Sequence, residues 1–188
     1  MNNLCIDLCS GEEGFSQAFR EDYNVVTVEV DKKFKPTIIA DVNYLPLKPC
    51  LNPDVLLMSP PCTKFSLANP NWPKKGIKEA LNLVGSCLEA VVSLKPKAWL
   101  LENPKGRLRW FLGTPKQSIR YSDYDMQYKA VKPTDMWGNI PLPMVKGVRK
   151  DHVGHKEKGW FRRGAKIPYG VSLAVKEGVE YVPNNTYV

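Results

Sequence analysis

Five short apolar runs constrain this chain more than anything else in it. Leu4-Cys5-Ile6-Asp7-Leu8 stops at Ser10-Gly11, Val25-Val26-Thr27-Val28-Glu29-Val30 at Asp31, and Ile38-Ile39-Ala40 at Asp41. Val55-Leu56-Leu57-Met58 stops at Ser59, and Ala98-Trp99-Leu100-Leu101 at Glu102. Short, nearly continuous apolar runs bounded by turn or acidic residues read as strands buried on both faces, the pattern of a parallel sheet. Gly14 to Arg20 has helix-forming composition. Ala80, Leu83, Val84, Cys87, Leu88, Val91 and Val92 fall on one helical face closed by Pro96. Strands alternating with helices predict an α/β fold with a mainly parallel sheet and right-handed crossovers.

The pattern changes after residue 112. Pro115, Pro133, Pro141 and Pro143 punctuate aromatic and basic text, with strands expected near Ile119–Tyr124 and Gln127–Val131. Residues 146–166 have no apolar periodicity and read as a mobile loop. Helical character returns over Ile167–Val179. Three regions follow: 1–112 as the main α/β unit, 113–166 as a small basic and aromatic region, and 167–188 as a helix packing back on the first. A chain of 188 residues suits this single unit. Five cysteines, none in a CxxC pair, argue for reduced thiols rather than a disulfide framework or a zinc site. His152 and His155 carry no accompanying cysteine pair, so no metal is expected. The N-terminus lacks signal-peptide features and no apolar run is long enough to span a membrane, so a soluble, cytoplasmic protein without membrane contact is expected.

The net charge is +8. It is concentrated: residues 95–120 carry seven bases against Glu102 alone, and 146–166 carry eight against Asp151 and Glu157. Two readings fit this asymmetry, a solubilising face or a surface for a polyanion. Tyr121, Tyr124, Tyr128, Trp137, Trp160 and Phe161 interleave with bases, either to stack nucleobases or to pack a small subdomain.

In open parallel sheets ligands bind beyond the carboxyl ends of the strands, where this chain places its reactive side chains. The first strand leads into Asp7-Leu-Cys-Ser-Gly11-Glu-Glu-Gly14-Phe15-Ser16, where Gly11 and Gly14 permit a tight turn and close approach to a ligand. Glu29, or Asp31 if the second strand runs longer, stands where an acid takes ribose hydroxyls. Asp41 closes the third strand. Ser59-Pro60-Pro61-Cys62-Thr63-Lys64 fixes the backbone where a thiol would be presented, beside a lysine that favours thiolate. Glu102-Asn103-Pro104 closes the fifth strand, placing a carboxyl and an amide beside that cysteine if the two strands are near in the sheet; the other reading of Glu102 is a helix N-terminal acid before Lys105–Phe111.

In their order, Asp7–Ser16, Glu29/Asp31, Asp41, Ser59-Pro60-Pro61-Cys62 and Glu102-Asn103-Pro104 resemble the motifs of the C5-cytosine-specific DNA methyltransferases, especially the short forms carried by phages. Lys132–Asn139 and Ile167–Val171 are weaker echoes of the phage forms. The resemblance implies a Rossmann-like S-adenosylmethionine-dependent methyltransferase fold with a small irregular C-terminal extension. It implies DNA as partner, S-adenosyl-L-methionine as cofactor and, by expectation, a monomer in the host-cell cytoplasm. Asp7, Cys9, Gly11, Gly14, Phe15, Glu29, Val30, Asp41, Val42 and Pro60 would line the cofactor pocket. Cys62 would add to cytosine C6, with Glu102 and Asn103 on the N3 and amino edge and Arg120 beside the base. Lys64, Arg107, Arg109, Lys150, Arg162 and Arg163 would meet nucleic acid.

The sequence also departs from the family. Glu13 stands where many members have glycine, Thr63 follows the cysteine in place of glutamine, and Pro104 replaces valine after Glu-Asn. The Gln-x-Arg-x-Arg element is reduced to Gln117-Ser118-Ile119-Arg120, one arginine out of register. Methylation of cytosine in RNA and a catalytically silent nucleic-acid binder are the alternatives; Cys62 argues against amino-group methylation, which needs no thiol.

Overall fold

The computed structural model describes residues 3–67, 75–125, 128, 133–143 and 166–183. Among these residues seven strands form one sheet: β1 (Leu4–Leu8), β2 (Asn24–Glu29), β3 (Ile38–Ile39), β4 (Val55–Met58), β5 (Ala98–Pro104), β6 (Gln117–Arg120) and β7 (Pro133–Gly138). Their spatial order is β3-β2-β1-β4-β5-β7-β6. β1 pairs in parallel with both β2 and β4, and the strand order reverses between β1 and β4. β3 extends β2 and β5 extends β4, both in parallel, so the five apolar runs of the sequence become the five parallel strands.

Two apolar layers cover the sheet. Helix α1 (Ile77–Leu94) buries Val84, Cys87, Ala90, Val91 and Leu94 on one face, against Ile6, Leu8, Leu56, Met58 and Leu101. Val92, expected on that face, is exposed and Leu94 takes its place. Helix α4 (Tyr169–Val179) buries Val171, Val175 and Val179 on the other face, with Cys5, Phe15, Phe19, Val55 and Leu57.

Three local expectations are corrected. The stretch Gly14–Arg20 forms turns and a short 3₁₀ segment (Gln17–Glu21) instead of an α-helix. Its backbone is captured from a distance: Ala18 N–H donates to Ser172 Oγ at 3.0 Å, and that hydroxyl donates to the Phe15 carbonyl at 2.7 Å. Ile119–Tyr124 splits into the end of β6 and a helical turn, α3 (Tyr121–Tyr124). Gly170 of α4 sits so close to the Tyr124 carbonyl oxygen that a Cβ there would overlap it. The region 127–131 lies outside the described residues apart from Tyr128.

β7 was not expected as a strand, and it joins β5 to β6, antiparallel to both. Its burial runs through the polar pair Thr134-Asp135. Asp135 is fully buried because Arg109, from the helical turn α2 (Arg109–Leu112), grips both its carboxylate oxygens while Ser118 Oγ donates at 2.9 Å. A buried carboxylate stripped of its counter-ion costs far more than the pair contributes. Arg109→Ala is therefore expected to destabilise the protein by about 3 kcal/mol, measured as a lower urea midpoint at unchanged slope. Asp135→Asn combined with Arg109→Ala should recover part of that loss.

Candidate active site

The carboxyl ends of β1, β2 and β4 face one another across the strand-order reversal, the place where open α/β sheets hold ligands. After β1 the chain enters the left-handed region at Cys9 (φ 57°), Gly11 (φ 48°) and Glu13 (φ 55°). A Cβ on Gly11 would meet nothing within 4 Å, so that turn is open. Gly14 acts differently from expectation: a Cβ there would lie 2.7 Å from the backbone N and O of Ile167. Its small size admits the segment entering α4, which Gln17 Nε2 also holds through the Ile167 carbonyl at 3.1 Å. Glu13 holds the αL position often given to glycine by pairing with Arg20 and accepting from Thr27 Oγ1 at 3.3 Å.

Glu29 closes β2 with its carboxylate over the turn. Oε2 accepts from Gly11 N–H at 3.1 Å and Oε1 from Val30 and Asp31 N–H at 2.8 and 3.1 Å. Val30 beside it is 65% exposed, an apolar side chain left in the open at a strand end. Asp31, the other ribose candidate, caps a 3₁₀ turn and pairs with Lys33. Asp41 likewise caps the turn at Val42–Tyr44, accepting from Asn43 N–H at 2.9 Å, while Val42 and Phe15 are buried in the two core layers. Cys9 is partly buried; its hydrogen bond to Cys87, followed by burial, raises its pKa. All five cysteines are thiols.

Asp7 lies fully buried at the middle of this end. Ser16 Oγ donates to its Oδ2 at 2.6 Å, while Oδ1 has no partner. Desolvation pushes its pKa up to about 7, against the lowering effect of the Ser16 bond. An acid that holds its proton more tightly when folded costs stability as pH rises from the unfolded value of 3.8 towards about 7, and the cost then levels off. Asp7→Asn keeps the Ser16 bond and is expected to remove that decline. The check is the difference in urea midpoints between wild type and variant from pH 5 to pH 8; equal slopes would refute it.

Ser10 Oγ and Ser59 Oγ, at the ends of β1 and β4, are also buried without partners. The open Gly11 turn, exposed Val30 beside the Glu29 carboxylate, and these orphaned hydroxyls fit an adenosyl group. They offer hydroxyl acceptors, an apolar surface and polar atoms in need of a partner.

The neighbouring pair β4 and β5 carries the second half of the site. Met58 pairs with Leu101, so Cys62 on the turn after β4 and Glu102 in β5 lie towards the same end of the sheet. Asn103 ties them together: its Nδ2 donates to the Pro60 carbonyl at 2.9 Å, while Oδ1 stays buried without a partner. Cys62 is half-buried, and its carbonyl accepts from Phe65 and Ser66 N–H at 2.9 and 3.0 Å, closing the turn that presents it. Glu102 belongs to the strand rather than to a helix N-terminus and is buried.

Sequence reasoning missed the partner of Glu102. Tyr121 OH donates to Glu102 Oε1 at 2.7 Å from a fully buried position. Burial, then the Glu102 charge, holds the Tyr121 pKa well above that of a free phenol, and a Thr134 hydroxyl bonds the phenol oxygen. Tyr128 packs edge-on against Tyr121 with ring centroids 5.5 Å apart, its own hydroxyl orphaned. The signal was available: counting from Gln117, Ile119 and Tyr121 occupy the two arginine positions of Gln-x-Arg-x-Arg. Arg120, offered as a substitute, is exposed at the end of β6 and opposite Pro133.

Of the bases expected to meet nucleic acid, Lys64 and Arg107 lie on and beside the Cys62 turn. Lys64 Nζ reaches the Lys75 carbonyl at 3.5 Å and Arg107 Nη1 donates to the Ser66 carbonyl at 2.6 Å. Arg109 is committed to Asp135 and Ser118. Lys150, Arg162, Arg163, His152 and His155 lie outside the described residues. Among the described residues no His, Cys, Asp and Glu cluster has metal-binding geometry, and no helix is long and apolar enough to cross a membrane.

Comparisons with known proteins agree with this geometry. A frog virus 3 protein (isolate Goorha) described as "Probable DNA (cytosine-5)-methyltransferase" is 30% identical over 152 residues, covering 72% of this chain and 70% of its own. Among solved structures, a DNA modification methyltransferase described as encoded within an E. coli prophage superposes with a TM-score of 0.50 at 19% identity. That match covers 75% of this chain and 48% of the other, so the chain spans about half of that protein and shares its fold. The family model described as "C-5 cytosine-specific DNA methylase" matches residues 4–136, from β1 into β7. With more than half of its length matched, this chain belongs to the C-5 cytosine-specific DNA methylase family.

Proposed function

We propose that this protein methylates cytosine at C5 in DNA, using S-adenosyl-L-methionine and a transient covalent bond to Cys62. The observation that carries the reading is the Asn103–Pro60 hydrogen bond. It fastens the turn bearing Cys62 to the strand end bearing Glu102, which supports a shared site for a nucleophile and an acid.

Cytosine C5 is a weak nucleophile. Addition of the Cys62 thiolate to C6 moves the ring electrons onto C5 and N3, and Glu102 meets that charge by sharing a proton with N3. Asn103 Oδ1 is an acceptor available to the exocyclic amino group. S-adenosylmethionine, held at Glu29, Gly11 and Val30, supplies when bound an electrophilic methyl group for C5. Loss of the C5 proton to a base then re-forms the double bond and expels Cys62 as thiolate. The carbon attacked lies inside a base stack, so the target must leave the duplex or come from a single strand.

Mass analysis of nucleosides from cells expressing the protein tests the reading. The expected result is 5-methylcytosine in DNA. Its appearance in RNA alone would transfer the activity to RNA, and its absence from both under verified expression would favour a silent binder.

A further inference from the structure

Beside the Cys62 turn lies a surface that the proposed reaction leaves unassigned. Helical turn α2 directs Leu108 inward and leaves Trp110 65% and Phe111 44% exposed, while Leu67, just past the Cys62 turn, is 59% exposed. These three large apolar side chains come from the two segments joined by the Ser66–Gly106 bridge. The junction is tight. Arg107 N–H donates to the Phe65 carbonyl at 2.8 Å, and a Cβ on Gly106 would overlap that same oxygen. Phe65 is buried and packs edge-on to Phe111, with centroids 6.4 Å apart. The Phe65 and Ser66 amides in turn close the Cys62 turn. Trp110 is thus held in fixed relation to the thiol.

The sequence flanking it carries charge of one sign. From Asn103 to Ser122 the chain has Lys105, Arg107, Arg109, Lys116 and Arg120 and no acid, and Lys64 lies on the opposed segment. The Arg107 guanidinium sits 6.0 Å from the centroid of the Trp110 ring. A broad aromatic face beside a guanidinium, in a segment rich in bases, complements a strand that is polyanionic along its backbone and aromatic along its bases.

We propose that Trp110, supported by Arg107, is a stacking platform for a nucleobase flanking the target cytosine in an unpaired or locally opened DNA strand. This rests on the DNA reading above and adds to it a site and a strand state. Stacking on an exposed aromatic is largely independent of base identity and of salt, whereas phosphate contacts by Lys105 and Lys64 are salt-sensitive. The two contributions are therefore separable.

The test is fluorescence anisotropy with a labelled single-stranded oligodeoxynucleotide containing cytosine, titrated at several salt concentrations. Calorimetric binding of S-adenosylmethionine reports that each variant is folded. Trp110→Ala is expected to weaken DNA binding about 10- to 100-fold with the slope of log K against log salt unchanged. Trp110→Phe should recover most of the affinity, and Lys105→Ala should reduce the slope by about 0.7, one phosphate contact on a single strand. Wild-type binding with Trp110→Ala equally tight would overturn the platform and leave the DNA reading standing. So would a loss that brings the salt slope down with it, or one that Phe does not repair. A wild-type protein that binds no oligonucleotide at low salt would overturn the DNA reading, and the platform with it.

Discussion

Cys62→Ser is expected to abolish methyl transfer while leaving S-adenosylmethionine binding unchanged. A serine hydroxyl is far less acidic than a thiol and stays protonated at neutral pH, so addition to C6 loses its thiolate nucleophile. Cofactor affinity should survive because Cys62 sits on the turn after β4, whereas Glu29, Val30 and Gly11 lie at the ends of β2 and β1. The same residue predicts a trap. In DNA carrying 5-fluorocytosine the fluorine cannot depart as a proton does, so elimination stalls and the wild-type enzyme stays joined to the strand. Denaturing electrophoresis should show the joined species with wild type and none with Cys62→Ser. Retained methylation by the serine variant on a verified cytosine substrate would refute the covalent route.

The second large effect is at Glu102 and its buried partner. Glu102→Gln keeps the shape of the side chain and removes the exchangeable proton, and is expected to lower kcat by about 10²–10⁴-fold. Tyr121 acts through Glu102. In the proposed mechanism, its bond to Oε1 would fix the orientation in which the carboxyl group meets N3. Thr134 bonds the phenol oxygen and burial keeps the phenol protonated, which orders the chain of donors. Tyr121→Phe should lower kcat by about 10- to 100-fold, the loss of one hydrogen bond to a charged group, with little change in KM for the cofactor. A kcat unchanged in Tyr121→Phe, or a loss confined to cofactor KM, would show that Tyr121 only fills space.

Much of the site was legible because it lies at the ends of apolar runs. A run such as Val55–Met58 reads as a strand from its own side chains, and the turn that follows carries Cys62 wherever the sheet puts it. The order of acid, glycine turn, Pro-Pro-Cys and Glu-Asn needs no tertiary knowledge to be recognised. The bonds that turn those residues into one site were not legible in this way. Asn103 meets Pro60 across 43 residues, and Tyr121 meets Glu102 across 19 from a segment expected as a strand with no indicated partner.

By itself, then, the sequence determined the five parallel strands, the long helix between β4 and β5, and which side chains stand at the carboxyl edge, because apolar periodicity and turn chemistry are local. The tertiary structure decided what depends on partners distant in the chain. Asp135 can lie in a buried strand only because Arg109 neutralises it from 26 residues away. Residues 15–18 give up α-helical bonding only because Ser172, 154 residues beyond Ala18, takes their amide and carbonyl. Gly14 is required by the backbone of Ile167, which passes 2.7 Å from where its Cβ would be. In each case a polar or steric demand is met across the fold, and nothing in the neighbouring residues encodes where the answering group comes from.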